Sequence, residues 1–325
     1  MSAFTVRQVA VLGAGVMGAQ IAAQLVNCRV PVVLFDLPAK DVGGNGDKNA
    51  IVHKALANLK KIKPAPLGVA ADAALIQAAN YEEDLDKLKG CELIIEAIAE
   101  RLDWKEDLYK KIALFVAPQA ILATNTSGLS INSLASVLPA ELLPRFCGIH
   151  FFNPPRYMAL VELIATAHTA AQVLDDLEGF VTSTVGKSVV RAQDTPNFVA
   201  NRIGIANILA TAKLTEKFGL GWDVADDLTG KKLGRASSAT YRTADVVGLD
   251  TLNHVIKTLQ DNLNEQTDPF YPNYSTPAPL AALLEKGYLG QKTGSGFYKK
   301  VGKDILNFDA ATGDYVAGGK KADDI

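Results

Sequence analysis

Through the first two hundred residues, short unbroken apolar runs alternate with longer stretches of helical period. The runs 6–13, 30–36, 93–97, 121–124 and 146–150 carry little polar alternation. That is the pattern of parallel strands covered on both faces. Helical patterns separate them at 15–27, 48–63, 69–79, 104–116 and 131–138. Such β-α-β alternation predicts an α/β domain with a doubly wound parallel sheet. After about Val190 the character changes. The stretch 191–197 holds a proline and few apolar residues, and helical patterns then dominate at 199–218, 222–228, 244–264 and 279–286. We place the boundary near Asp194. The expected organisation is a first domain over 1–193, an all-helical second domain over 194–298, and an extension or linker over 299–325.

The glycines give the first domain a chemistry. Gly13-Ala14-Gly15-Val16-Met17-Gly18 fits G-x-G-x-x-G between an apolar strand and a helix. Gly13 permits the tight turn, Gly15 admits a pyrophosphate to the backbone, and Gly18 lets helix pack on strand. The helix start adds free N–H groups and a positive dipole end. Asp36 closes the next strand, where an acid accepts ribose hydroxyls and repels a 2′-phosphate. This is a Rossmann-type fingerprint, and it favours NAD over NADP.

A second constellation follows. The run 146–150 is a strand pattern stopped by Pro154 and Pro155, and 160–164 is a second strand-like run. A hairpin centred on Arg156 sets His150 opposite Glu162, with Cβ atoms ~5 Å apart. A carboxylate there fixes the imidazole's tautomer and raises its basicity, making a general base. The competing reading is a core histidine bonded to a carbonyl, with a glutamate on a solvated strand face. Thr124-Asn125-Thr126-Ser127 ends another strand at the same sheet edge. These residues suit a substrate oxygen or the nicotinamide, or else cap the helix that begins near Ser130.

Composition removes other classes. The chain has 325 residues, 48% hydrophobic and 21% charged, enough for full cores and not for disorder. Lys and Arg total 33 against 35 acids, a net charge of −2. That balance gives no case for nucleic acid or an anionic membrane as partner. No apolar run approaches the roughly 20 residues of a membrane span, and residues 1–8 lack a secretory pattern. Cys28, Cys91 and Cys147 are scattered, which suggests reduced thiols in the cytoplasm and no metal site.

Taken together, these motifs resemble the L-3-hydroxyacyl-CoA dehydrogenase family over roughly residues 6–298. The glycine turn is joined by Glu96-Ala97-Ile98-Ala99-Glu100, Asn125-Thr126-Ser127, His150-Phe-Phe-Asn153-Pro154 and Leu160-Val-Glu162. Further on come Asp194-Thr-Pro-Asn-Phe-Val-Ala-Asn201-Arg202, Val247-Gly-Leu-Asp250 and Lys292-Thr-Gly-Ser-Gly-Phe-Tyr298. The resemblance implies NAD as cofactor and an acyl-CoA substrate. It makes His150 the catalytic base, Glu162 its orienting partner, and Ser127 and Asn201 contacts to the substrate's oxygen and thioester region. Around NAD it places Val16 and Met17 of the glycine turn, Asp36, Ala97, Glu100, Lys105, Ser127, Asn153 and Lys292. Lys54, with Lys60, Lys61 and Lys63, would meet CoA phosphates from a helix whose apolar face is Ile51, Ala55, Leu59 and Ile62. The resemblance also implies a homodimer. Three departures stand out: the segment Gly234–Thr243, Asn197 before Phe198, and the chain beyond Tyr298. That last part carries two short strand patterns and an ending that reads as an unpacked linker. With the substituted segment, it resembles long bacterial β-oxidation proteins in which an enoyl-CoA hydratase-like region follows the dehydrogenase.

Overall fold

A computed structural model describes residues 4–40 and 46–324. Met1–Ala3, at the start that lacks a signal pattern, and Ile325, at the end of the expected linker, lie outside the described residues. Two compact units divide the chain at Phe198 and Val199.

The first unit is built on a sheet of β1 (Val9–Leu12), β2 (Val32–Asp36), β3 (Ile76–Asn80), β4 (Leu93–Glu96), β5 (Ile121–Thr124), β6 (Phe146–Phe151), β7 (Leu160–Ala165) and β8 (Ser188–Ala192). Its spatial order is β3-β2-β1-β4-β5-β6-β7-β8. Every neighbouring pair is parallel except β6 with β7. Helices α1 (Val16–Asn27), α2 (Ala50–Leu59), α3 (Leu102–Ile112), α4 (Ile131–Ala135) and α5 (Ala171–Ser183) accompany it. The order reverses between β2-β1 and β4, the crevice where such sheets bind dinucleotides. Strands β1 and β4 are buried throughout, as their unbroken apolar pattern requires.

Two expectations in this unit are corrected. The helix expected at 69–79 is a short 3₁₀ turn, Ala70–Leu75, followed by β3. The alanines favour helix, but pairing of Ile76–Asn80 with β2 wins and buries Ile76, Ala79 and Asn80. On α2 the buried side chains are Val52 and Leu59, while Ile51 is exposed.

The second unit contains α6 (Ala200–Lys217), α7 (Trp222–Thr229), α8 (Tyr241–Val247), α9 (Leu249–Asn262) and α10 (Ala278–Glu285). The single helix expected over 244–264 breaks at Gly248, whose φ of +99° ends α8 and starts α9. The unit is not wholly helical. β9 (Tyr298–Val301), β10 (Asp304–Phe308) and β11 (Tyr315–Ala317) form an antiparallel sheet whose Phe308 and Tyr315 join the core of the helices. The ending is not an unpacked linker. The backbone N–H groups of Gly319 and Lys320 donate to Asp223, and that of Ala322 donates to Asp227.

Asp245 of α8 organises this unit. Its buried carboxylate accepts the N–H groups of Phe297 and Tyr298, both at 2.9 Å. Burial pushes its pKa up from 3.8 to about 6, against the pull of those two donors. The folded protein therefore holds this proton more tightly than the unfolded chain. The group's contribution is full below pH 3.8 and is lost as pH rises through about 6. Asp245→Ala strands two buried donors and is expected to cost about 2–4 kcal/mol in urea unfolding. It should also flatten the stability profile between those two pH values.

Candidate active site

The glycine turn sits where β1 meets α1. Gly13 adopts φ +103° and donates its N–H to Phe35 at 2.8 Å. A Cβ on Gly18 would lie 1.8 Å from the Gly13 carbonyl oxygen, so only glycine lets α1 approach this strand. Gly15 faces open space, with no atom within 4 Å of where its Cβ would be. Asp36 accepts the N–H groups of Ala14 and Leu37, each at 2.7 Å, and so stands fixed at the rim. Beside them opens a cavity of about 550 Å³ lined by Gly13, Gly15, Asp36, Tyr81, Ala97 and Trp104. The Tyr81 hydroxyl is buried there and has no hydrogen-bond partner among the described residues. An open backbone cradle, a fixed acid, apolar walls and a spare hydroxyl fit an adenosine diphosphate moiety. Of the neighbouring positions, Val16 is exposed and Met17 packs against the core.

At the other side of the sheet edge, β6 and β7 pair with His150 directly opposite Glu162. The imidazole Nδ1 lies 2.8 Å from Glu162 Oε2, and Nε2 lies 3.1 Å from the Ser127 hydroxyl. His150 and Glu162 are buried, while Ser127 is exposed. An acid kept in the interior holds the ring by its Nδ1–H. The Nε2 lone pair then faces the hydroxyl of exposed Ser127, the arrangement of a general base. Phe152 and Phe198 flank the ring with centroids 4.5 and 5.6 Å away. The core-carbonyl alternative for His150 is thereby excluded.

The polar run from Thr124, the last residue of β5, to Ser127 does not cap α4. Ser130 and Asp194 cap α4, through Ser133 N–H and through the N–H groups of Ile131 and Asn132. Thr124 donates to Glu96 at 2.7 Å. Asn125 accepts the Phe151 N–H at 2.9 Å and so pins the end of β6. Thr126 donates to Glu100, which also accepts the N–H groups of Ser127 and Gly128 at 3.0 and 2.9 Å.

Beneath this loop lies a buried ion pair that the sequence motifs do not reveal. Glu96, fully buried, accepts Lys105 Nζ at 2.6 Å, Tyr109 OH at 2.8 Å and the Ile98 N–H at 2.7 Å. Burial, with the Glu96 charge beside it, pushes the Tyr109 phenol well up from its ordinary value. Lys105 also stands 3.8 Å from Glu100. Its side chain is thus enclosed by acids and does not line the open cavity.

Residues 8–195 match the model of the 3-hydroxyacyl-CoA dehydrogenase NAD binding domain, and residues 198–300 that of the same family's C-terminal domain. The chain belongs to the 3-hydroxyacyl-CoA dehydrogenase family. A probable 3-hydroxyacyl-CoA dehydrogenase of Deinococcus radiodurans is 42% identical, over 91% of this chain and 83% of its own length. A putative fatty acid oxidation complex trifunctional enzyme of Rickettsia felis is 36% identical over 94% of this chain, which spans 42% of that protein. The solved structure of (S)-3-hydroxybutyryl-CoA dehydrogenase PaaH1 from Ralstonia eutropha matches with a TM-score of 0.70 and 30% identity. That match covers 91% of this chain and all of that one.

In this dehydrogenase the cofactor is NAD. The first unit brings together His150, Glu162, Ser127 and Glu100, and separately gathers Gly13, Gly15, Asp36 and Ala97 around the cavity. Asn153, just past β6, accepts Gln20 of α1 at 3.3 Å. Lys54 is exposed on α2 beside a cavity of about 350 Å³ that also touches Gly15 and Val16. Asn201 and Lys292 belong to the second unit. Asn201 lies in the first turn of α6, and Lys292 is ion-paired with Asp250 at 2.5 Å. Among the described residues no cluster suits a metal, and no helix is long and apolar enough to cross a membrane.

Gly18→Ala tests the glycine turn. The added methyl must push α1 off the Gly13 carbonyl, so NAD affinity is expected to fall at least about tenfold in a fluorescence titration. Gly15→Ala, whose methyl would stand in the open space that admits the pyrophosphate, should also weaken NAD binding but leave the packing of α1 on β1 undisturbed.

Proposed function

We propose that this chain oxidises L-3-hydroxyacyl-CoA to 3-ketoacyl-CoA with NAD, the dehydrogenase step of fatty-acid β-oxidation. The observation that carries the reading is the His150 ring, held by buried Glu162 on one nitrogen and facing the Ser127 hydroxyl with the other. Bound NAD supplies the acceptor for the hydrogen and electron pair that leave C3. Gly13, Gly15 and Asp36 would hold its adenosine half, with Val16, Ala97, Glu100, Asn153 and Lys292 completing the site, while Lys105 acts from behind by holding Glu96 and Glu100.

In this reading the His150 Nε2 takes the proton from the C3 hydroxyl. The imidazolium that forms is stabilised by the Glu162 carboxylate through Nδ1–H, in an interior where screening is weak. Ser127 and Asn201 orient the oxygen and thioester region. Glu100 keeps the Ser127 loop in place through two backbone N–H groups, so little reorganisation accompanies the reaction. Lys54 on α2 meets the phosphates of CoA. The working protein is a cytoplasmic homodimer, and a longer parent with a hydratase-like region is consistent with the Rickettsia relative's length.

His150→Gln is expected to retain NAD binding while losing at least about a hundredfold in turnover, followed as acetoacetyl-CoA-dependent loss of NADH absorbance. Glu162→Gln should lose more than about tenfold, but less than His150→Gln. Wild-type rates in either variant would remove the assignment. The alternative of a short-chain 3-hydroxybutyryl-CoA dehydrogenase predicts rates that fall steeply beyond four-carbon acyl groups. A non-catalytic dinucleotide-binding relative predicts no turnover at any length.

A further inference from the structure

The tip of the β6–β7 hairpin is bonded on two sides. Beneath it, the buried ammonium of Lys187 donates to the carbonyls of Pro155 at 2.5 Å and Met158 at 2.8 Å, and reaches that of Arg156 at 3.4 Å. One cation thus gathers successive carbonyls of the turn that joins the two catalytic strands. On the outer side, Arg156 Nη1 donates to the carbonyls of Ala65 at 2.7 Å and Leu67 at 3.0 Å. The Tyr157 hydroxyl donates to Ala65 at 3.0 Å.

Ala65 and Leu67 lie on the chain leaving α2. The same stretch is tied to the end of α1, where Asn27 donates to Pro66 at 2.9 Å and accepts the Gly68 N–H at 2.8 Å. Arg156 stands midway in sequence between His150 and Glu162, whose pairing defines the hairpin register. Among the described residues it makes no ion pair. The hydrogen bonds that its Nη1 donates to Ala65 and Leu67 both go to this one exit loop.

We propose that Arg156 is a positioning residue that links the seating of the CoA nucleotide on α2 to the alignment of the His150–Glu162 hairpin, with Lys187 as its fixed base. The proposal rests on the reading above that α2 receives the CoA phosphates. Its physical content is that a remote, unreacting part of the substrate contributes to the rate as well as to affinity. When α2 is held by the nucleotide, its exit loop is held too, and through Arg156 so is the turn between the catalytic strands. A hairpin left free at its tip lets the Nε2 atom wander, and misplacement of a reacting group is costly in rate.

The test compares acetoacetyl-CoA with its N-acetylcysteamine thioester, which has the same reacting atoms and no nucleotide. Both are assayed on the full chain as wild type, Arg156→Ala and Lys54→Ala. Arg156→Ala is expected to lower kcat/KM for acetoacetyl-CoA about tenfold, with a fall in kcat, and to change that for the truncated thioester by less than about twofold. Lys54→Ala should raise KM for acetoacetyl-CoA alone. Equal losses on both substrates in Arg156→Ala mean a local folding defect and overturn the coupling, as does full activity on acetoacetyl-CoA. A Lys54→Ala enzyme with unchanged KM for acetoacetyl-CoA removes the nucleotide seat on α2, and the coupling with it. A selective Lys54 effect without a selective Arg156 effect leaves the seat standing and removes only the link.

Discussion

A carboxylate buried in a sheet is tenable only with a partner, and Glu162 finds its partner in His150 across the hairpin. The site depends on this exchange. The acid gains a hydrogen bond in place of water, and the imidazole gains a fixed tautomer and orientation. The pairing requires the antiparallel turn that β7 makes within an otherwise parallel arrangement, because a parallel neighbour would not bring position 162 back beside 150. Parallel pairing of β6 with β5 then sets the histidine at the strand edge beside Ser127.

A buried ion pair performs a related service nearby. Glu96 and Lys105 neutralise each other in the interior, with Tyr109, Thr124 and a backbone N–H filling the remaining positions on the acid. Burial of an ion pair is weak evidence for stability, since desolvation offsets the attraction. Its effect here is geometric. Lys105 approaches Glu100, and Glu100 holds the backbone of the loop that presents Ser127 to the base. A continuous polar network therefore runs from the end of β4 to the imidazole, while apolar strands surround it.

The parts of the site readable in advance are those whose reasons are local. Gly13, Gly15 and Gly18 form one turn, and Asp36 ends the following strand, so spacing alone carries their meaning. The opposition of His150 and Glu162 also follows from spacing, since a side-chain period of two makes hairpin register a matter of counting. The bonds of Arg156 to the loop after α2 and of Lys187 to the hairpin turn escaped because each joins partners far apart along the chain. The strand at Ile76–Asn80 escaped for the same reason. Its alanines carry a helical preference, and only an available edge on β2 converts it.

The amino-acid order by itself therefore determined the alternation of elements, the dinucleotide turn, the acid at its rim and the face-to-face pairing of base and carboxylate. All of these are set by backbone sterics and by periods of a few residues. Tertiary structure decided which polar groups after β5 serve the site and which acid caps α4. It also decided where the helix of 244–264 breaks, and it fastened the final residues to α7. Those outcomes turn on desolvation and on hydrogen bonds closed across long stretches of chain, and such balances exist only once the chain has packed.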